Sequence, residues 1–178
     1  MRISGKLTDS IVDGRGLRYT LFTQGCPHRC EGCHNPQTHD FEGGEEASAE
    51  SVIAEIEGNT LLDGVTFSGG EPFSQAAELV KIARYCKGRG LDVWIYSGWT
   101  YEELTELSGK DESMGTLLGL CDVLVDGRFE LDKRTLSQKW VGSTNQRVID
   151  LARTRETGVT SLYREPASEI GFEVPRWE

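Results

Sequence analysis

The sequence predicts an α/β fold, a partial (open) β/α barrel with a mainly parallel sheet of about five or six strands. Short β-branched and aromatic runs alternate with helical periodicities, which is the pattern of successive βα units. The chain has 178 residues, too few for a complete eight-stranded barrel of typically ~250 residues. The loops that carry unusual residues all follow predicted strands, so they would share the carboxyl edge of the sheet, where parallel sheets bind their ligands.

Leu17 to Gln24 (LRYTLFTQ) reads as a strand that runs directly into a cysteine-bearing loop. From Ser48 or Ala49 to Glu57 the spacing of Val52, Ile53 and Ile56 is helical. Gly64 to Phe67 is a short apolar run between glycines, as in a buried parallel strand. The loop Ser68-Gly69-Gly70-Glu71-Pro72 follows, and then Ala76, Leu79, Val80 and Ala83 fall at i, i+3, i+4, i+7, one face of a helix that ends near Gly88-Arg89-Gly90. Leu91 to Tyr96 is the next strand, with Ser97-Gly98 as its exit turn. Thr100 and Glu103 form a capping-box pattern for a helix through Leu107. A helix near Met114 to Leu120 and a strand from Asp122 to Val125, leaving through Asp126-Gly127, close the alternation. Val159 to Tyr163 is a candidate further strand, and the tail after Glu165 has no periodicity. No linker divides the chain, so residues 1–178 are expected to be one domain, with a core of about 11–150 and an unassigned extension over 151–178.

Nineteen Lys plus Arg stand against 29 Asp plus Glu, a net charge of −10. That balance repels phosphate backbones and anionic lipid, so neither nucleic acid nor a membrane is the expected partner. No stretch approaches the roughly 20 apolar residues that span a bilayer, and MRISGKLTDS lacks the apolar run of a signal peptide. A cytoplasmic location is expected, where thiols stay reduced. In that compartment the crowding of three of the five cysteines into Cys26, Cys30 and Cys33 indicates metal or redox chemistry and not a disulfide framework.

Cys26-Pro-His-Arg-Cys30-Glu-Gly-Cys33 is a C-x₃-C-x₂-C spacing. Three thiolates this close can ligate three irons of a 4Fe-4S cubane and leave the fourth iron open to a small-molecule chelate. The alternative is a structural zinc site completed by His34, His28 or His39, although zinc ligands usually come as separated pairs and no second Cys/His pair is present. Cys86 lies on a predicted helix face and Cys121 opens an apolar strand, as small core residues do.

The Cys26-x₃-Cys30-x₂-Cys33 motif followed by His34-Asn35-Pro36 resembles the radical S-adenosylmethionine enzymes, in particular the activases of glycyl radical enzymes. Ser10-Ile-Val-Asp-Gly14 and Ser68-Gly69-Gly70-Glu71-Pro72 are similar to that family's flanking signatures. Ile95-Tyr96-Ser97-Gly98, Asp122-Val-Leu-Val-Asp126-Gly127 and Gly142-Ser-Thr-Asn145-Gln146 narrow the resemblance to activating proteins of anaerobic ribonucleoside-triphosphate reductase. It extends over roughly Ile11 to Asp150. Many members of the superfamily have an aromatic residue before the third cysteine, where this chain has Gly32.

The resemblance implies a 4Fe-4S cluster on Cys26, Cys30 and Cys33, with S-adenosyl-L-methionine chelated at the open iron. Reductive cleavage would give a 5′-deoxyadenosyl radical that takes a hydrogen from a backbone glycine of the partner reductase. The cofactor carries that chemistry, so no catalytic side chain is expected. Gly32, Cys33 and His34 are expected near the adenine and Gly69-Gly70 near the methionine amino group, with the Glu71 carboxylate as its acceptor. Ser97 and Asp126 would reach the ribose or the methionine carboxylate, or serve equally well as turn formers before Gly98 and Gly127. His28, Arg29, Asn145 and Gln146 are placed equally well at the site or in solvated turns. Electrons would come from an external low-potential donor such as a flavodoxin or ferredoxin. Rival readings are an activase of another glycyl radical enzyme, a small-molecule radical enzyme, and a zinc-binding adaptor without catalysis.

Overall fold

The computed structural model describes residues 1–166. In chain order these form β1 (Arg2–Ser10), β2 (Arg18–Thr23), β3 (Glu45–Glu46), α1 (Ala49–Gly58), β4 (Gly64–Gly69), α2 (Ala76–Gly88), β5 (Asp92–Tyr96), α3 (Tyr101–Ser108), α4 (Glu112–Leu120), β6 (Val123–Asp126), β7 (Arg147–Asp150) and α5 (Leu151–Thr157). The strands make one open sheet in the order β3-β1-β2-β4-β5-β6-β7. Its centre is parallel: β2 pairs with β4, β4 with β5 and β5 with β6. The flanks are antiparallel, β1 on β2, β3 on β1 and β7 on β6.

Helices return the chain between the parallel strands, and each has a local cause. Ser48 caps α1 by accepting from the Ser51 N–H, and Asp111 caps α4 by accepting from Ser113. The capping box at α3 is present in both directions, with Glu103 N–H donating to Thr100 Oγ1 at 3.2 Å and Thr100 N–H to Glu103 Oε2 at 2.8 Å. The apolar faces of α1 to α4 bury Val52, Ile56, Leu79, Ile82, Leu104 and Leu117 against Leu21, Val65, Phe67, Val93, Ile95 and Leu124 of the sheet. This layer holds the main core.

The other face of the sheet, the inner face of the partial barrel, is closed differently. Trp94, Val123 and Val125 pack there with Trp140 and Tyr163. Beside them lies Arg18, fully buried, its guanidinium 5.3 Å above the Trp94 ring. A buried charge must be paired and hydrogen-bonded. Arg18 meets both demands, with an ion pair to Asp92 at 2.6 Å and bonds to Thr66 Oγ1, the Arg15 carbonyl and the Val65 carbonyl. Thr66 in turn donates to the Asp13 carbonyl at 2.8 Å, which pins the connection between β1 and β2 across the inner face.

The architecture is the expected one, with differences at the flanks. The sheet has seven strands among the described residues, because β1, β3 and β7 carried no readable alternation: of β1 only Ile3 and Ser10 are buried. Val159 to Tyr163 contributes a single bridge, Leu162 to Ile149, and not a strand. The first part of the unassigned extension is α5. Residues 167–178 lie outside the described residues.

Candidate active site

Because β2, β4, β5 and β6 are mutually parallel, the loops after them emerge on one edge. There they enclose a cavity of about 420 Å³ lined by Cys26, Cys30, Cys33, Gly69, Gly70 and Ser97, among others. That volume is within the ~300–1,000 Å³ typical of small-molecule and cofactor sites.

The cysteine loop is held at both ends and bent in its middle. Gly25 N–H donates to the Thr38 carbonyl at 2.8 Å and Cys26 N–H to the His39 carbonyl at 3.3 Å, so the loop returns to its own start. The Gln24 amide bridges the Gln37 and Asp40 carbonyls. Between the cysteines, Arg29 (φ 49°) and Gly32 (φ 70°) take left-handed conformations that bend the loop. Asn35 N–H donates to Cys33 Sγ at 3.4 Å. Burial pushes the Cys26 thiol up, while the N–H groups of His28 and Arg29 that reach its sulfur pull the other way. Backbone donors aimed at sulfur are what a metal-bound thiolate requires.

These three thiols line one cavity. Thiols distributed around a cavity wall suit a cluster with several metal corners, each taking one sulfur. A donor set of three thiols fits an iron–sulfur cluster, one sulfur to each of three irons.

Opposite the cysteines, Gly69 (φ 94°) and Gly70 form the wall at the end of β4. A Cβ on Gly70 would overlap the Gly25 carbonyl oxygen, so only glycine lets these two loops touch. Ser97 and His34 also line the cavity. The His34 ring lies 4.9 Å from Phe129.

Glu71, Asp126 and Gly32, the other candidates, have these partners within the protein. Glu71 is fully buried, and its carboxylate is committed to the protein: it accepts from Phe73 N–H (3.1 Å), Gly98 N–H (2.8 Å), His28 Nε2 (2.9 Å) and the Ser97 hydroxyl (3.1 Å). Gly69 and Gly70 form the cavity wall beside it. Asp126 is likewise buried behind the rim, where it accepts from Tyr101 N–H at 2.8 Å and from Arg147 Nε at 3.0 Å. A Cβ on Gly32 would meet the Leu131 side chain.

Other residues complete the cavity. Phe22, Ser68 and Tyr96 reach it from the inner face, Val12 and Asp13 from the connection after β1, and Phe129, Trp140, Val141 and Gln146 from the segment between β6 and β7. Burial pushes the Tyr96 hydroxyl well up, with the Asp13 carboxylate adding to it, so it faces the cavity as a neutral phenol. Alternation along β2, β4 and β5 could have assigned Phe22, Ser68 and Tyr96. Trp140 had no such signal, because it sits in an irregular segment in a left-handed conformation (φ 65°).

Residues 12–149 match the family described as "4Fe-4S single cluster domain". The chain is also similar to proteins named anaerobic ribonucleoside-triphosphate reductase-activating protein. That of Vibrio cholerae is 34% identical over 146 residues, 76% of this chain and 89% of the relative. That of Pasteurella multocida is 34% identical over 144 residues, with the same coverage of 76% and 89%. The protein of that name from Enterobacteria phage T4 is 31% identical over 143 residues, 77% of this chain and 86% of the relative. With three thiols in one cavity at the carboxyl edge of a parallel sheet, and relatives matched along most of their length, this chain belongs to the 4Fe-4S family of anaerobic ribonucleoside-triphosphate reductase-activating proteins.

Proposed function

We propose that the protein is a radical S-adenosylmethionine activase whose substrate is a backbone glycine of anaerobic ribonucleoside-triphosphate reductase. The observation that carries this reading is the sharing of one cavity by Cys26, Cys30, Cys33, Gly69, Gly70 and Ser97. Cys26, Cys30 and Cys33 would hold a 4Fe-4S cluster there, with one iron left open to the amino and carboxylate groups of S-adenosylmethionine. When bound, this pair supplies a one-electron cleavage of the S–C5′ bond to methionine and a 5′-deoxyadenosyl radical, which takes the glycine α-hydrogen and leaves a glycyl radical and 5′-deoxyadenosine.

The chain's own residues bind, orient and shield. Gly69 and Gly70 present bare backbone, so an amino group can approach β4 closely. Ser97 and His34 offer hydrogen-bonding edges on the same wall. Glu71 and Asp126 stand behind that wall and fix the loops that form it. Phe22, Phe129, Val141 and Trp140 exclude water from the reacting region. Val12 and Leu136, both exposed, border the mouth through which a partner's glycine loop enters.

The electron comes from an external low-potential donor such as a flavodoxin or ferredoxin. Cys86 and Cys121, the remaining thiols, are fully buried in the helical core and are not placed to hold a second cluster.

The test is electron paramagnetic resonance of the anaerobically reconstituted, reduced protein, followed by addition of S-adenosylmethionine and then of the reductase. The expected results are a cubane signal that changes with the cofactor and a glycine-centred doublet that appears with the reductase. A diamagnetic protein holding one zinc would overturn the reading.

A further inference from the structure

The loop between Cys26 and Cys30 carries one side chain that reaches back into the fold. His28 Nε2 lies 2.9 Å from Glu71 Oε2, and His28 Nδ1 lies 3.2 Å from Arg128 Nε. An arginine Nε–H can only donate, so Nδ1 is the acceptor and the ring proton sits on Nε2, directed at Glu71. Both ring nitrogens are therefore satisfied, and the imidazole plane is fixed.

Two further contacts hold the same ring. A Cβ on Gly98 would overlap it, so the Gly98 backbone lies directly beneath His28. The Trp99 ring meets it edge-on, with centroids 4.7 Å apart. Glu71 follows β4, Gly98 and Trp99 follow β5, and Arg128 follows β6. One side chain from the cysteine loop is thus fastened to the ends of three parallel strands. Glu71 is the hub of this arrangement, since Ser97 Oγ and Gly98 N–H reach the same carboxylate.

We propose that His28 is the positioning residue of the cysteine loop, locked by Glu71 and Arg128, and that Glu71 acts on the cluster through His28 and not as a ligand of S-adenosylmethionine. The inference rests on the reading of Cys26, Cys30 and Cys33 as cluster ligands. A ring fixed midway between two ligating thiols sets the spacing at which Cys26 and Cys30 meet their irons. Loss of such supporting contacts typically weakens metal sites about 10–100-fold.

The experiment compares wild type with His28→Phe, His28→Gln and Glu71→Gln. The readouts are iron retention against a competing chelator, the resonance spectrum of the reduced protein before any S-adenosylmethionine is added, and the melting temperature of the apoprotein. H28F keeps the ring's bulk and removes both hydrogen bonds, whereas H28Q keeps an N–H donor in reach of Glu71. The expected result is iron retention at least tenfold weaker in H28F, an altered cofactor-free spectrum in H28F and E71Q, and recovery of most of both properties in H28Q. Three outcomes would overturn the inference. In one, H28F keeps wild-type iron and spectrum. In the second, E71Q changes only the titration with S-adenosylmethionine and leaves the cofactor-free spectrum alone. In the third, H28F and H28Q lose iron equally while lowering the apoprotein melting temperature equally, which is a merely structural role. Should H28F fail to fold, the H28Q and E71Q spectra decide alone, and a wild-type protein that takes up no cluster fails the underlying reading itself.

Discussion

Asp126 and Arg147 are register partners across the junction of β6 and β7, and their side chains join in a two-pronged ion pair there. Asp126 is buried while Arg147 is partly open and also grips Glu102 at the start of α3. The same carboxylate accepts from Tyr101 N–H, so one acid ties the last parallel strand, its antiparallel neighbour and a helix start. Both partners push the Arg147 guanidinium further toward its charged form, Asp126 more than Glu102. Removing the arginine leaves a buried carboxylate with one backbone donor. Arg147→Met is expected to cost about 3 kcal/mol, read as a lowered urea midpoint with an unchanged slope.

The response to acid follows from depressed carboxyls. Lys6 holds Glu55 below the usual carboxylate range, and Arg147 does the same for Glu102. A group whose folded pKa is lowered contributes stability that is complete above its unfolded value, about 4.3 for Glu, and is lost as pH falls through the folded value. Stability is therefore expected to fall below about pH 4. Glu102→Gln should lower the urea midpoint near neutrality and flatten the acid limb, so that variant and wild type converge as pH falls.

At Gly70 any side chain collides with the backbone of the cysteine loop. Gly70→Ala forces the β4 exit away from Gly25, at a cost of about 1–3 kcal/mol by overpacking, and separates the glycine wall from the cysteines. The expected outcome is reduced iron incorporation together with a lower apoprotein melting temperature. An alanine variant that reconstitutes and melts like wild type would show that the two loops part freely.

The five thiols should divide into two chemical classes. Cys86 and Cys121 are fully buried, and burial pushes the Cys86 thiol up to about 12 and Cys121 higher still. Cys86→Ala and Cys121→Ala are expected to keep full iron content, whereas Ala at Cys26, Cys30 or Cys33 abolishes the intact cluster. Iodoacetamide at pH 8 should modify Cys30 and Cys33 of the native apoprotein and reach Cys86 and Cys121 only after unfolding, as mass spectrometry of the labelled peptides will report.

Much of this was legible in the sequence wherever the signal was local. Thr100 and Glu103 announced the α3 cap because both halves of the box lie three residues apart. The Gly64–Phe67 run announced β4, which extends to Gly69, because a strand buried on both faces is apolar without alternation. The cysteine spacing carried its chemistry in eight residues. What escaped was either exposed or assembled over distance. β1 is covered by β3 only at Arg2 and Ile3, and its stretch from Lys6 to Asp9 is exposed, so it shows no apolar alternation. Glu71 reads as a free acid beside Gly-Gly, and its actual partners, His28, Ser97 and Gly98, lie 26 to 43 residues away. Asp126 reads as a turn former until Arg147 is brought opposite to it by the reversal into β7.

An unclosed sheet has two raw margins, and both are dressed. Beyond β1 lies β3, two exposed glutamates long, whose charge discourages another chain from extending the ladder. Beyond β7 the chain doubles back, with Asp150 N–H bonded to Ser161 and Tyr163 N–H to Val148, which shields the opposite margin. The barrel can thus stay open to a visiting loop at its carboxyl rim while its sides resist sheet-to-sheet adhesion, so accessibility and solubility are governed by different parts of the molecule.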